Sequence, residues 1–188
     1  ETAAEFPVRL VESGPAGGAI FAADVARRFG LDKVVSYDMG GTTAKICLIE
    51  DFTPKTARSF EVARSTRFAR GSGMPISIPV IEMIEIGAGG GSIAWVDAMG
   101  RIQTGPESAA SEPGPACYQR GGQRPAITDA DLVLGKIDPE NFADGAIRLS
   151  LDAAKAAIAR DVGDRLALTA EAAAFGICEV VDENMANA

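Results

Sequence analysis

The run D-M-G-G-T-T at residues 38–43 contains the residue types in this sequence that are best suited to chemistry. Glycine permits a positive φ and leaves no Cβ between the backbone and a ligand. Successive backbone N–H groups in such a turn can surround phosphate oxygens, and the threonine hydroxyls add donors. We therefore predict phosphate contacts by Gly40, Gly41, Thr42 and Thr43.

The acid that opens this run suits a magnesium ion. Asp38 follows a short β-prone run at residues 34–37. A carboxylate at the end of a strand can hold Mg²⁺ directly or through water, because this ion prefers oxygen ligands and keeps several waters. We expect Asp38 to be the metal-binding and catalytic residue. No G-x-x-x-x-G-K-[ST] pattern is present, so the loop would be of the non-Walker kind. A tight hairpin that uses Gly-Gly for geometry alone is the alternative.

A second glycine-rich stretch, GAGGGS, occupies residues 87–92. A dinucleotide-binding turn would need a glycine in place of Ser92 and a helix after it, but β-prone residues 93–96 follow instead. We interpret the stretch as a glycine-rich wall close to substrate or nucleotide, with Gly89 and Gly90 as candidate substrate contacts. A turn at Gly17-Gly18, before the first predicted helix, would offer further N–H donors to phosphate.

Four other side chains are candidates, and three of them have two interpretations. Arg120, which precedes two glycines, could hold a substrate carboxylate in a bidentate fork, and a surface arginine fits equally well. Asp97 is either a turn cap or a cleft carboxylate, and Glu107 is a weaker active-site candidate. Cys117 is a nucleophile in principle, but a packed thiol is favoured because the sequence has no histidine to activate it. The lack of histidine also excludes Ser-His-Asp catalysis and His-ligated metals within this chain.

Composition restricts the partners. The formal net charge of −8 argues against nucleic acid, which binds clustered lysine and arginine. A local basic run fits a solvated face or a phosphate- or carboxylate-facing surface; it comprises Arg58, Arg64, Arg67 and Arg70. Three cysteines without C-x-x-C spacing indicate neither a disulfide framework nor a zinc site and favour a cytoplasmic setting. No apolar stretch reaches about 18 residues, so we predict no membrane span.

The predicted elements make a mixed α/β chain. A helix follows the Gly-Pro turn and buries Phe21, Val25 and Phe29 at i, i+4 and i+8. Strands at residues 34–37 and 43–49 form a hairpin around the glycines, and further strands are predicted at residues 80–86 and 92–97. Three helices follow. Their predicted N-caps are Thr128, Ser150 and Thr169. The second helix is predicted to bury Leu151, Ala154 and Ile158. The third helix is predicted to carry Phe175, Cys178, Val181 and Met185 along one face.

These elements predict an α/β fold, a mixed sheet with flanking helices, over a single domain at residues 1–188. Prolines and glycines predict irregular loops at about residues 63–79 and 105–127.

Four stretches together resemble the hydantoinase A/5-oxoprolinase family. They are SGPAGG at residues 13–18, DMGGTT at 38–43, IGAGGGSIAWVD at 86–97, and GPESAASEPGPACYQRGG running into TDADLVLGKIDP at 105–139. The resemblance covers residues 11–187. D-x-G-G-T at a hairpin also resembles the phosphate loops of the actin, sugar-kinase and heat-shock-chaperone ATPases.

The resemblance implies one lobe of an actin/ribonuclease H-like ATPase with ATP and Mg²⁺ as cofactors. The implied reaction is ATP-dependent phosphorylation of the amide oxygen of a ring, of hydantoin, N-methylhydantoin or 5-oxoproline type, which water then opens. We expect the chain to be an internal part of a longer protein, inactive alone and lacking N- and C-terminal parts. A hydantoinase B-like subunit is the implied partner.

One position departs from the family pattern. Many relatives have Asp where Lys45 stands, which puts the number and position of the Mg²⁺ ligands in doubt. Lys45 would be either a fixed cation near phosphate or a solvated residue of the second strand. Lys45 keeps open a nucleotide-binding module without turnover. The resemblance also keeps open the ATPase subunit of an acetone- or acetophenone-type carboxylase, because relatives couple the same ATPase step to carboxylation of ketones.

Overall fold

The computed structural model describes residues 2–5, 7–10, 13–62 and 71–187. Arg64, Arg67 and Arg70 of the predicted basic run therefore lie outside the described residues. The chain forms two compact units: the first comprises Glu1–Asp38 and Ala44–Glu85, and the second comprises Met39–Thr43 and Ile86–Ala188. The single domain expected for residues 1–188 stays a prediction.

The first unit contains helices α1 and α2, strands β2 to β7, and all but the last residue of β1 and of β8. The helices are α1 (Thr2–Glu5) and α2 (Ser13–Phe29), with a 3₁₀ turn at Pro7–Leu10 between them. The strands are β1 (Lys33–Met39), β2 (Ala44–Glu50), β3 (Thr53–Pro54), β4 (Thr56–Ala57), β5 (Phe60–Val62), β6 (Met74–Ile76), β7 (Val80–Ile81) and β8 (Ile84–Ile86).

Strand β2 is central to the main sheet, because β1, β3 and β8 all pair with it. Four residues join β1 to β2, so the predicted hairpin is confirmed. The single strand predicted at residues 80–86 is wrong: β7 pairs with β4, whereas β8 pairs with β2. Strand β6, paired with β5, also lies within the loop that was predicted at about residues 63–79.

Helix α2 packs through alanines. Its buried residues are Ala19, Ala23 and Ala26, and the first two form a core with Cys47 and Ile49 of β2. The predicted face of Phe21, Val25 and Phe29 is wrong, since Phe21 is 68% and Phe29 is 74% exposed. Alanine has no side chain beyond Cβ, so it lets the helix approach the sheet closely. Gly30, with a φ of 68°, ends the helix as predicted.

The second unit contains the antiparallel pair β9 (Ser92–Val96) and β10 (Ile102–Ser108), followed by helices. The helices are α3 (Ile127–Val133), α4 (Leu151–Ile158), α5 (Asp164–Leu166) and α6 (Ala170–Ala186), with a 3₁₀ turn at Ala116–Tyr118 and a π-helical turn at Ala159–Gly163. Strand β10 pairs regularly as far as Thr104 and, after a shift in register, pairs again through Ser108, so the loop predicted at about residues 105–127 begins later than expected.

Two of the three predicted helix caps are confirmed. Ser150 accepts a hydrogen bond from the Ala153 N–H, and Thr169 accepts one from the Ala172 N–H, each at 3.2 Å. The buried faces were predicted in part. Ala154 and Ile158 of α4 and Cys178 and Val181 of α6 are buried, whereas Leu151 is 41% and Phe175 is 58% exposed. Among the described residues, none of the helices has the length and apolar character to cross a bilayer.

Candidate functional site

The predicted phosphate loop, residues 40–43, is an exposed turn between β1 and β2. The Gly40 N–H donates to the Thr43 carbonyl at 2.9 Å, which closes the turn. Gly40, Gly41 and Thr42 are exposed to solvent. Neither glycine has a positive φ, so the turn does not need glycine for a left-handed conformation. A Cβ built on Gly41 would meet no described atom within 4 Å.

The carbonyls of this loop are tied to the second glycine-rich stretch. The Gly90 N–H donates to the Gly40 carbonyl at 3.0 Å, and the Gly91 N–H donates to the Gly41 carbonyl at 2.7 Å. We call Gly89–Gly91 the glycine wall. A Cβ on Gly89 would lie 2.7 Å from the Gly40 carbonyl and from two Thr42 backbone atoms. The wall therefore requires glycine at position 89 because the loop backbone packs directly against it.

The hydrogen bonds to the Gly40 and Gly41 carbonyls fix the direction of two amide hydrogens. The peptides between Gly40 and Gly41 and between Gly41 and Thr42 are trans. In a planar trans peptide the N–H points opposite to the C=O. Because both carbonyls point at the wall, the N–H groups of Gly41 and Thr42 point away from it. Two neighbouring N–H groups on one exposed side form the kind of concavity that binds anions.

Asp38 and the two glycines of the first motif lie in the first unit. Asp38 is exposed near the end of β1. Its Oδ2 lies 3.7 Å from the position that a Cβ on Gly18 would occupy. The predicted turn at Gly17-Gly18 is wrong, because both residues lie inside α2. At the fifth and sixth positions of a helix that begins at Ser13, N–H groups bond to carbonyls one turn earlier. Their phosphate contact stays a prediction.

Lys45 lies on β2 and lines a cavity of about 360 Å³ in the first unit. Three carboxylates line the same cavity, those of Glu61, Glu82 and Glu85. One ammonium group among three carboxylates does not favour a polyphosphate, so the geometry gives no support for phosphate binding by Lys45. Within the described residues no group of three or more acidic or cysteine side chains could hold a metal ion.

Asp129 is a buried residue whose role the sequence did not reveal. Its carboxylate is 0% exposed and accepts hydrogen bonds from the N–H groups of Ala116, Cys117 and Ala126, at 3.2, 2.7 and 2.8 Å. Burial raises the pKa of Asp129, while the three N–H groups oppose that shift. Its bond to Ala126, the N-cap residue of α3, is half of a capping box. The prediction of Thr128 as the cap of α3 is therefore wrong. The sequence does contain a signal for the correct start, because an acid at the third helical position, here Asp129, is typical of a capping box.

Thr128 instead contacts the glycine wall. Its backbone N–H and its Oγ1 both donate to the Gly90 carbonyl, each at 2.8 Å. These two residues are 38 positions apart in the sequence, and no local pattern predicted their contact.

The remaining candidates have ordinary structural surroundings. The Asp97 carboxylate accepts from the N–H groups of Met99 and Arg101 and from the Arg101 guanidinium, each at 2.9 Å. The Arg101 N–H contributes most to lowering the pKa of Asp97, so the turn interpretation explains this acid. Burial raises the pKa of the fully buried Cys117 thiol, as a packed cysteine requires. Glu107 forms an exposed ion pair with Arg124 at 2.6 Å.

The candidate substrate contacts have different surroundings. Gly89 and Gly90 lie between the loop and Thr128, and Arg120 is exposed after the 3₁₀ turn at Ala116–Tyr118. The packing of the glycine wall explains its glycines without a substrate. Substrate binding by Gly89, Gly90 and Arg120 stays a prediction.

Comparison with known proteins decides the family. The model of the family described as hydantoinase/oxoprolinase matches residues 1–188. The chain belongs to this family. It is 38% identical to caprolactamase subunit alpha of Pseudomonas jessenii over 96% of its length, which is 25% of that subunit. It is 37% identical to the acetophenone carboxylase gamma subunit of Aromatoleum aromaticum, over 96% of the chain and 24% of the relative.

Solved structures of the family share the fold. The nucleotide-free structure of acetone carboxylase matches with a TM-score of 0.75 and 31% identity, over 92% of this chain and 23% of that one. The crystal structure of ATP-dependent caprolactamase from Pseudomonas jessenii matches with a TM-score of 0.73 and 37% identity, over 92% and 24%. The α/β fold class is thus confirmed. This hydantoinase/oxoprolinase chain spans about a quarter of the length of these relatives.

Proposed function

We propose that this chain supplies a nucleotide-phosphate loop to an ATP-dependent hydrolase that opens cyclic amides. The observation that carries the proposal is the pair of exposed N–H groups at Gly41 and Thr42, directed outward because their carbonyls are tied to the glycine wall. Phosphate oxygens accept such N–H groups readily. No described atom lies within 4 Å of a Cβ built on Gly41, which fits a position where a ligand approaches the backbone closely.

Asp38 fits the metal side of this site. It stands two residues before Gly40, and its carboxylate is exposed. Mg²⁺ in nucleotide sites commonly takes one or two protein carboxylates together with phosphates and waters, so a single acid is a sufficient donor set. Bound Mg²⁺ would supply charge neutralisation of the phosphates. Gly18, which has no side chain, leaves space beside the Asp38 carboxylate.

The reaction explains why ATP is needed. An unstrained amide is a poor electrophile, and transfer of the γ-phosphoryl group to its oxygen supplies a good leaving group. Water then opens the ring, and the net products are the ring-opened acid, ADP and phosphate. Catalysis of phosphoryl transfer depends mainly on positioning and charge stabilisation. An anchored loop with two outward N–H groups suits that task.

The relatives support both ATP and a cyclic amide. One solved relative is named an ATP-dependent caprolactamase, and a lactam is a cyclic amide. The relatives named subunits alpha and gamma support a multi-subunit enzyme. We propose that the remaining parts of the same protein and a hydantoinase B-like subunit complete the active site.

A ketone carboxylase is the second candidate. The chain is 37% identical to the acetophenone carboxylase gamma subunit and 38% identical to caprolactamase subunit alpha, so sequence identity does not separate the two functions. The two functions differ in what stimulates phosphate release by the assembled full-length enzyme. A hydrolase responds to a cyclic amide without bicarbonate. A carboxylase responds to a ketone only when bicarbonate is present.

Replacement of the loop acid tests the proposal. In the assembled full-length enzyme, Asp38→Ala should lower substrate-stimulated phosphate release at least about a hundredfold, the order expected when a transition-state contact is lost. Asp32→Ala is the matched control, because Asp32 is an exposed acid just before the opposite end of β1. The control should retain turnover within about twofold, as expected of surface substitutions. Normal turnover by Asp38→Ala would remove this acid from the mechanism.

A further inference from the structure

Each outward N–H of the loop ends a chain of hydrogen-bonded peptides. The peptide between Gly90 and Gly91 donates its N–H to the Gly41 carbonyl at 2.7 Å, and its carbonyl accepts from Thr128. The next peptide, between Gly41 and Thr42, carries the Thr42 N–H on its far side. The series therefore runs from Thr128, through two trans peptides, to the Thr42 N–H.

A parallel series supports the Gly41 N–H. The carbonyl of the peptide between Gly89 and Gly90 accepts from the Ser92 N–H at 2.9 Å. The N–H of that peptide, which belongs to Gly90, donates to the Gly40 carbonyl at 3.0 Å. This series begins at a backbone N–H, which a change of side chain leaves in place unless proline is introduced. The series to Thr42 begins at a side-chain hydroxyl as well as at a backbone N–H, so it alone can be weakened by changing one side chain.

We propose that Thr128 is a positioning residue for the phosphate loop: its hydroxyl orients and polarises the peptide between Gly90 and Gly91, and thereby the Thr42 N–H. Three features carry this inference. Thr128 is 5% exposed, so water does not replace its hydroxyl. Its two bonds to Gly90 are each 2.8 Å. Chains of hydrogen bonds strengthen one another in a low dielectric.

Asp129 holds Thr128 at this place. The carboxylate of Asp129 binds the Ala126 N–H at the start of α3 and the Cys117 and Ala116 N–H groups of the preceding segment. The first turn of α3 is thus fixed on one side by Asp129 and contacts the wall on the other through Thr128. The inference rests on the proposed phosphate role of the loop, and it adds a residue distant in sequence that determines how well the loop binds.

The test compares Thr128→Val with Thr128→Ser in the full-length enzyme with its partner subunits. Valine keeps the shape and removes the hydroxyl, whereas serine keeps the hydroxyl. We expect Thr128→Val to raise the KM for ATP about fivefold, the size of effect of one neutral hydrogen bond, with kcat within about twofold. Thr128→Ser should restore the KM to within about twofold of the wild type.

Hydrogen exchange gives a second readout that needs no nucleotide. The Gly91 N–H, which binds the Gly41 carbonyl, should exchange about fivefold faster in Thr128→Val and at the wild-type rate in Thr128→Ser. A purely structural role would reduce the amount of active enzyme, and so lower kcat and leave the KM unchanged. That result would overturn the inference.

Comparison of Thr128→Val with Gly41→Ala distinguishes a wrong role for Thr128 from a wrong role for the loop. If Thr128→Val leaves both the KM and Gly91 exchange unchanged while Gly41→Ala loses ATP affinity, Thr128 does not position the loop and the phosphate role of the loop stands. If Gly41→Ala binds ATP as the wild type does, the phosphate role itself fails, and the inference about Thr128 fails with it.

Discussion

The phosphate loop depends on residues that have little side chain of their own. Gly41 has no positive φ, and a Cβ on it would contact no described atom, so neither conformation nor internal packing accounts for its identity. The proposed close approach of a ligand would account for it. Gly89 is the opposite case, because a Cβ there would lie 2.7 Å from backbone atoms of the loop. Glycine thus occupies these two positions, in similar motifs, for different physical reasons.

The buried carboxylate of Asp129 gives a residue-scale prediction. Asp129→Asn replaces one of the two carboxylate oxygens by an NH₂ group, so either the Cys117 N–H at Oδ1 or the Ala116 and Ala126 N–H groups at Oδ2 lose their acceptor. An unsatisfied buried donor is costly. Exchange of the amides that lose their acceptor should become roughly a hundredfold faster in the full-length protein, as hydrogen-exchange mass spectrometry of residues 114–130 would measure.

Asp152→Asn is the control for that experiment, because Asp152 is an exposed acid in the first turn of α4 in the same unit. Its exchange pattern should match the wild type at residues 114–130. Equal exchange in Asp129→Asn and the wild type would show that the three hydrogen bonds do not hold this segment.

At the scale of elements, the loop and the glycine wall act as one unit joined by the hydrogen bonds from Gly90 and Gly91. Two substitutions separate the anchoring of the loop from its binding of ATP. They are Gly89→Ala and Gly41→Ala. Gly89→Ala forces the backbones apart, so both ATP affinity and protection of the Gly90 and Gly91 amides should fall.

Gly41→Ala adds a methyl group on the open side of the loop and leaves the anchoring bonds intact. We expect ATP affinity to fall about tenfold or more, since a methyl group in a close backbone contact costs at least about 1.4 kcal/mol, with unchanged protection of the wall amides. Calorimetry with ATP and hydrogen exchange measure the two effects. Loss of wall protection in Gly41→Ala would show that the two roles are not separable.

The sequence predicted the elements whose signals are local. The hairpin around the glycines and the caps at Ser150 and Thr169 follow from neighbouring residues, and the structure has all three. The buried face of α2 was missed because alanines pack there while larger apolar residues such as Phe21 stay exposed. The contact of Thr128 with Gly90 spans 38 residues and depends on tertiary packing that no periodicity encodes.

At the scale of the whole molecule, this chain spans about a quarter of its relatives. We propose that turnover belongs to the longer protein and its subunits. The hydrogen bonds that anchor the loop lie within residues 39–43 and 86–188. The family membership of residues 1–188 and the geometry of the loop are independent lines of support. Both support the proposal that this turn binds a nucleotide phosphate.

A structure of the full-length enzyme with Mg²⁺ and a non-hydrolysable ATP analogue would show where the phosphates bind relative to the loop. We expect phosphate oxygens about 3 Å from the backbone nitrogens of both Gly41 and Thr42, with the Gly90 and Gly91 bonds to the loop retained. Phosphates bound elsewhere, with these two N–H groups facing solvent in the complex, would contradict it.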